Sequence, residues 1–341
     1  MDTTNTADRL PRGIDLQPHG LLRSGHVQSM LSSISVRRIV QRPMRRRVAE
    51  NAERVVLDVM NGVRLAGIFT PQRARPQARG LALLFHGWEG STDSSYVVQI
   101  GARLLADGWD IFRLNFRDHG GTYALNPEIF NSCMLDEVVA ASIEVERRWH
   151  HAGTPMVLAG FSLGGNFALR VALAAPDAGL KLDKAVAVCP VIDPRANLKS
   201  LERAPWVYHW YFMHQWRASL KRKQKLFPER MLFTRHELGL GLRELTRTLV
   251  ERHTGFGTLE NYLDGYSVAG KRMANMRVAT TILTSSNDPI IPVSDFRELV
   301  LPPCVELDIA DNGGHCGFLC DWHFRSFTDD YIAARFNALA P

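Results

Sequence analysis

Residues 155–166 read Pro155-Met156-Val157-Leu158-Ala159-Gly160-Phe161-Ser162-Leu163-Gly164-Gly165-Asn166, and this stretch decides the fold. An apolar run of strand length ends in Gly-x-Ser-x-Gly, and residues 166–175, NFALRVALAA, continue with helical spacing. The pattern alone is weak. With glycine and serine each at roughly 7% of an average chain, about 0.1 accidental matches are expected at this length. Its setting gives it weight. A serine on a sharp strand-to-helix turn is held at strained dihedrals with its hydroxyl presented, and flanking glycines avoid the helix behind it.

Outward from this turn, short apolar strands alternate with helical patterns. Residues 54–59 and 63–70 flank Asn61-Gly62 and read as a β-hairpin. Strands are expected at 78–87, 109–116, 155–165 and 184–192, with helices at 96–108, 134–151 and 166–175. The alternation stops over 194–277, where basic, aromatic-rich helical segments run without a clear strand. It resumes with strands at 279–286 and 304–310 and helices at 293–301 and 324–339. Such alternation argues for βαβ units and a mostly parallel sheet. An interruption of about 80 residues is too long for a loop in a compact domain. The expected organisation is a basic N-terminal arm over 1–50, an α/β core over 51–193 and 278–341, and a helical cap over 194–277.

Composition excludes several classes. Of 341 residues, 45% are apolar and 22% charged, which rules out a disordered chain or a small disulfide scaffold. No apolar run approaches the roughly 18–20 residues of a membrane span. The net charge of +6 is uneven: residues 1–50 carry +5, residues 194–277 carry +9 and the rest −8. Two basic additions on an acidic body suggest attraction to an acidic surface or docking of one part on another. Five scattered cysteines give no disulfide framework, so a reducing, cytoplasmic setting is expected, with peripheral membrane contact allowed by the charge. The opening MDTTNTADRL does not lead into an apolar stretch, so no secretory signal is expected. An Arg-rich stretch at 35–48 is faintly like a transit peptide but lies deep in the chain.

A serine hydroxyl is a poor nucleophile until a base takes its proton. In this architecture the acid and then the histidine follow the serine in chain order. Asp288 falls just beyond the strand at 279–286, and His315 just beyond the strand at 304–310. Both therefore reach the carboxyl edge of the sheet, where the crevice of an open α/β sheet forms. Ser162 is expected to attack, His315 to carry the proton and Asp288 to fix the imidazole. Two backbone N–H groups, of Leu163 and of Trp88 in His86-Gly87-Trp88-Glu89-Gly90, are the expected oxyanion donors. The substrate pocket is expected to draw on His86, Gly87, Phe161, Trp206 and Trp210.

At this point the chain resembles the YheT-type branch of the α/β-hydrolases, related to a group of eukaryotic α/β-hydrolase-domain proteins. The matching pieces span most of the chain: His26-Val27-Gln28-Ser29, HGWEGS at 86–91, Asn115-Phe116-Arg117, GFSLGGN at 160–166, GFGTLENY at 255–262, SNDPIIP at 286–292 and GGHCGFL at 313–319. The resemblance implies an α/β-hydrolase fold with a helical cap between two late strands. It places Ser162, Asp288 and His315 in a triad and implies acyl or lipid-like esters as substrates, with acyl transfer to an alcohol as an alternative. Asp118-His119-Gly120-Gly121 departs from the pattern, where Arg-Gly and a small polar residue are expected.

Blander readings stand beside these. Asp193, after an earlier strand, is a rival acid, and His119 a rival base. His86 reads as a loop organiser. His315-Cys316-x₃-Cys320-x₂-His323 has zinc-like residue types, but no metal or cofactor is expected, because His315 is better used as the base. The aromatics at 206–216 and the cations Lys221, Arg222, Lys223 and Lys225 read as a cap helix packing on the core, or as an acyl-binding wall or a membrane-surface helix. Arg45-Arg46-Arg47 reads as a solvated run, with nucleic-acid or anionic-lipid contact as the alternative. A retired fold serving as a membrane- or nucleic-acid-associated binding module is the remaining alternative. Nucleic acid is the less expected partner.

Overall fold

A computed structural model of the chain describes residues 11–33, 40–230 and 232–339. The expectations about residues 1–10, and about 35–39 of the Arg-rich stretch, fall outside the described residues.

The described residues form a nine-stranded sheet. In chain order its strands are β1 (Arg12–Ile14), β2 (Glu53–Met60), β3 (Val63–Thr70), β4 (Leu81–Phe85), β5 (Asp110–Asn115), β6 (Met156–Phe161), β7 (Lys184–Val188), β8 (Ala279–Ser285) and β9 (Val305–Ala310). Their spatial order is β1-β9-β8-β7-β6-β4-β5-β3-β2. Only β2–β3 and β3–β5 pair antiparallel; every other pair is parallel. The hairpin turn Asn61-Gly62 has φ of 46° and 78°, the geometry that matches the twist of its strands. Every residue of β4, β5 and β6 is buried, as central strands covered on both faces require.

Two helices, α3 (Ser95–Asp107) and α12 (Phe327–Asn337), cover one face. The other is covered by α4 (Leu135–Trp149) and α5 (Leu163–Ala178). Strand 184–192 of the sequence reading stops at Val188, because Cys189 turns to a φ of 44° and Pro190 follows. The helix expected at 293–301 is only α11 (Val293–Arg297), since the Val300 N–H leaves it to donate to the Gly270 carbonyl at 3.0 Å.

The described residues before residue 50 are part of this body. β1 extends the sheet beside β9, and Arg12 pairs with the buried Asp308 at 2.6 Å. The helices α1 (Gly25–Ser33) and α2 (Arg42–Ala49) follow among the described residues. Val48 of α2 is buried beneath α3.

Residues between β7 and β8 hold α6 (Pro194–Arg203), α7 (Trp206–Leu226), α8 (Arg235–Gly239), α9 (Leu242–His253) and α10 (Leu259–Gly265). Their apolar residues Leu198, Met213, Trp216, Leu245 and Leu263 join the core on the α5 face. Polar links tie this insertion to the body. Lys223 on α7 is 1% exposed and donates to Asp118 at 2.7 Å and to the Asn126 carbonyl at 2.5 Å. Tyr208 donates to the His26 carbonyl of α1 at 3.0 Å. Lys223 is therefore a buried anchor and leaves the group of surface cations in which its sequence context placed it. Among the described residues no helix is long and apolar enough to cross a membrane.

Candidate active site

Ser162 stands between β6 and α5 with φ 55° and ψ −119°, a conformation that the surroundings must enforce. The neighbouring glycines explain how. A Cβ on Gly160 would meet the Gly164 carbonyl oxygen at 2.1 Å, and one on Gly164 would meet the His86 oxygen at 2.3 Å. Neither neighbour is a flexible side chain, so both positions must remain bare.

His315 follows β9, and its Nε2 lies 2.8 Å from Ser162 Oγ. Its Nδ1 lies 2.8 Å from Asp288 Oδ2. Asp288 follows β8, and its side chain is fully buried. Its other oxygen accepts the N–H groups of Ile290 and Ile291 at 2.8 and 3.0 Å, which fixes the carboxylate plane. Burial works to lower the His315 pKa, but the Asp288 charge and hydrogen bond outweigh it and hold the imidazole above its ordinary value.

Residues without an assigned role in the sequence reading hold this relay in place. Ser29 of α1 accepts the His315 N–H at 2.7 Å. Gln28 brackets Leu319, accepting its N–H at 2.7 Å and donating to its carbonyl at 3.0 Å. Asn287 Oδ1 accepts from Gly313 and Gly314 at 3.2 and 2.9 Å. The His26-Val27-Gln28-Ser29 motif was the available signal for the first two; its chain distance from His315 hid the contact.

The loop after β4 lies across from Ser162. Its N–H groups are largely engaged: Gly87 donates to the Tyr96 hydroxyl at 2.9 Å, Glu89 to His119 Nε2 at 3.2 Å and Gly90 to the Gly87 carbonyl at 2.9 Å. Trp88 and Leu163 both line the cavity above Ser162.

That cavity has a volume of about 630 Å³. Ser162 and His315 form its floor, and Leu242, Leu249, Tyr262 and Ile291 are among its mostly apolar walls. Gly87, Trp88 and Trp210 are among its lining residues. Three expected wall residues are not. His86 is fully buried behind the loop, where Nδ1 donates to the Gly87 carbonyl at 2.7 Å and Nε2 accepts the Phe116 N–H at 3.2 Å. Strand alternation sends Phe161 to the α3 face, where it packs on Tyr96 at 4.6 Å. Trp206 opens α7 and is 76% exposed, outside the cavity.

Both rivals have other work. Asp193 caps α6 by accepting the Arg195 N–H at 2.9 Å. His119 is buried, donates from Nδ1 to the Arg117 carbonyl at 2.7 Å and supports Glu89. Burial lowers its pKa, and that of His86 well below the ordinary value, so both serve as neutral struts.

A serine on a strand-to-helix turn, with an acid and a histidine beyond later strands of a mostly parallel, two-faced sheet, defines an α/β-hydrolase. The family profile described as serine aminopeptidase, S33, matches residues 76–316, and the chain belongs to that family. It is 26% identical over 327 residues to YheT of Escherichia coli strain K12, a protein assigned as an esterase, covering 93% of this chain and 91% of that one. Among solved structures, the Pyrococcus furiosus esterase Pf2001 matches with a TM-score of 0.54 and 13% identity, over 85% of this chain and 93% of its own. The 2,6-dihydroxy-pseudo-oxynicotine hydrolase matches with a TM-score of 0.56 and 17% identity, over 92% and 77%. At such identities these structures speak for the fold.

Proposed function

We propose that the protein hydrolyses carboxylic esters through an acyl-serine intermediate, with the acyl chain in the apolar cavity. The observation that carries this reading is the unbroken relay from Ser162 through His315 to Asp288, each link 2.8 Å, at the floor of that cavity. Ser162 Oγ attacks the ester carbonyl carbon as its proton passes to His315 Nε2. Asp288 keeps Nδ1 protonated and balances the imidazolium charge. The oxyanion is received by the N–H groups of Leu163 and Trp88. His315 then gives its proton to the departing alkoxide. Water enters, loses a proton to His315 and attacks the acyl carbon; the acid leaves and Ser162 recovers its proton.

The wall supports an acyl substrate over a charged one, because its surface is mostly apolar side chains. Met30, Trp210 and Tyr211 both line the cavity and stand 42%, 58% and 41% exposed, giving an apolar rim. With the +9 balance of residues 194–277, this rim favours peripheral contact with an anionic lipid surface. Esters of nitrophenol with graded acyl chains test the reading, beside aminoacyl amides as the peptidase arm. Wild-type protein should turn over the esters, and Ser162→Ala should not. Added ethanol separates hydrolysis from acyl transfer by the product formed. An inert wild type whose Ser162 also resists a fluorophosphonate probe contradicts the proposal.

A further inference from the structure

Beside the relay lies a second group of reactive side chains. Cys189 directly follows β7, and Cys316 directly follows His315. The two sulfurs and a ring nitrogen of His315 all lie within 4.8 Å of one another. Both cysteines are buried, and both hold left-handed backbone, φ 44° and 57°. Such strain in a non-glycine residue persists only where the surroundings over-determine it, and it concentrates at functional sites. The two thiols hydrogen-bond to each other, and their remaining polar contacts are long. Cys189 reaches the Gly314 carbonyl at 3.7 Å and Cys316 the Val188 carbonyl at 3.8 Å, and neither is in a disulfide. Cys316 also lines the cavity, so the group is reachable from the substrate side.

The sequence suggested a different grouping, His315-Cys316-x₃-Cys320-x₂-His323. The fold separates it: His323 is exposed, and Cys320 packs with the α12 side of the core. Cys189, 127 positions before Cys316 in the chain, takes their place.

We propose that Cys189, Cys316 and His315 form an inhibitory site for a soft divalent cation, zinc or cadmium. Two thiolates and an imidazole select such an ion over magnesium or calcium. At about 2.3 Å from each sulfur, a tetrahedral ion wants them about 3.8 Å apart, so side-chain adjustments of about 1 Å complete the set. Each thiol loses its proton to solvent on binding. Burial opposes a thiolate at either cysteine, and the charge of the bound ion offsets that cost. The ion engages the imidazole that Ser162 needs, so occupancy and catalysis exclude each other. That inhibitory consequence rests on the role proposed for His315; the binding itself does not.

Cadmium titration of the full-length protein tests both parts, read by thiolate-to-cadmium charge-transfer absorbance and by ester turnover. The band should saturate at one ion per chain in wild type and in Ser162→Ala alike. Wild-type turnover should fall in step and return with EDTA. Cys189→Ala should weaken binding by more than the roughly 10–100-fold typical of outer-shell partners. Cys304→Ala should leave band and inhibition intact. If the alanine variant fails to fold, Cys189→Ser retains the volume and should still bind far more weakly than wild type. A wild type without the band, or Cys189 variants that keep it at the same cadmium concentration, overturns the site. A band with undiminished turnover overturns the competition for His315. An inert wild type that still shows the band sinks the ester reading and leaves the metal site standing.

Discussion

The floor of the cavity and the helical insertion above it follow different rules. On the floor, position along the chain decides everything. Ser162, Asp288 and His315 each stand just beyond the carboxyl end of a strand, β6, β8 and β9, and the parallel sheet brings those ends together. In the insertion, the face of a helix decides. On α7 alone, Lys223 is 1% exposed and Trp206 is 76% exposed, the reverse of what charge and hydropathy suggest. Residue type therefore predicts role well where backbone geometry is fixed, and poorly where a helix can turn either face to the core.

If the floor acts as a unit, Ser162→Ala should lower kcat/KM on esters by about 10⁴–10⁶-fold. Its thermal midpoint should match wild type, because the relay is local. Asp288→Asn should lower kcat by about 10⁴-fold, through loss of the imidazole tautomer. The same variant carries a pH signature. His315 must be neutral to accept the Ser162 proton, and its folded pKa is raised. Activity should therefore climb with pH through a limb lying above the ordinary histidine value of about 6.5. Asp288→Asn should move the limb downward. A limb unmoved by that change would separate Asp288 from the base.

The insertion should respond in stability. Lys223→Ala leaves Asp118 buried without its partner and should cost about 3–5 kcal/mol in denaturant unfolding. Lys223→Met with Asp118→Asn removes both charges while keeping a side chain that tolerates the left-handed φ of 61° and can still accept the Phe130 N–H, and should recover part of that loss. If the single variant is as stable as wild type, α7 is not anchored there. The smallest effect belongs to the exposed aromatics. Trp206→Ser with Trp210→Ser should change stability by no more than about 0.5 kcal/mol. It should weaken partition onto anionic vesicles by a larger factor than it lowers turnover of soluble short-chain esters, on which Trp210 acts only from the cavity rim. Equal vesicle binding would confine these residues to cap structure.

The same contrast explains what could be read beforehand. Strands β2 to β9 were legible because each is a short apolar or alternating run bounded by turn residues. The alignment of Ser162, Asp288 and His315 with strand ends was legible for the same reason. β1 was not: three residues, Arg12–Ile14, carry too little pattern, and they are specified by β9, about 300 residues away. Gln28 and Ser29 were visible as a motif but not as supports of the His315 loop. Phe161 was misplaced because its neighbour Ser162 faces the cavity while strand alternation turns Phe161 to the opposite face. Cys189 carried no local signal at all, since it meets Cys316 only through the pairing of β7 with β8 and of β8 with β9.

The central claim is that Ser162 carries the acyl group. Brief exposure of the intact protein to an acyl nitrophenyl ester, acid quenching and peptide mapping by mass spectrometry test it directly. The account predicts one added acyl mass on the peptide bearing Ser162, absent from Ser162→Ala. Turnover with the acyl mass on Cys316, or with Ser162→Ala as active as wild type, would contradict it.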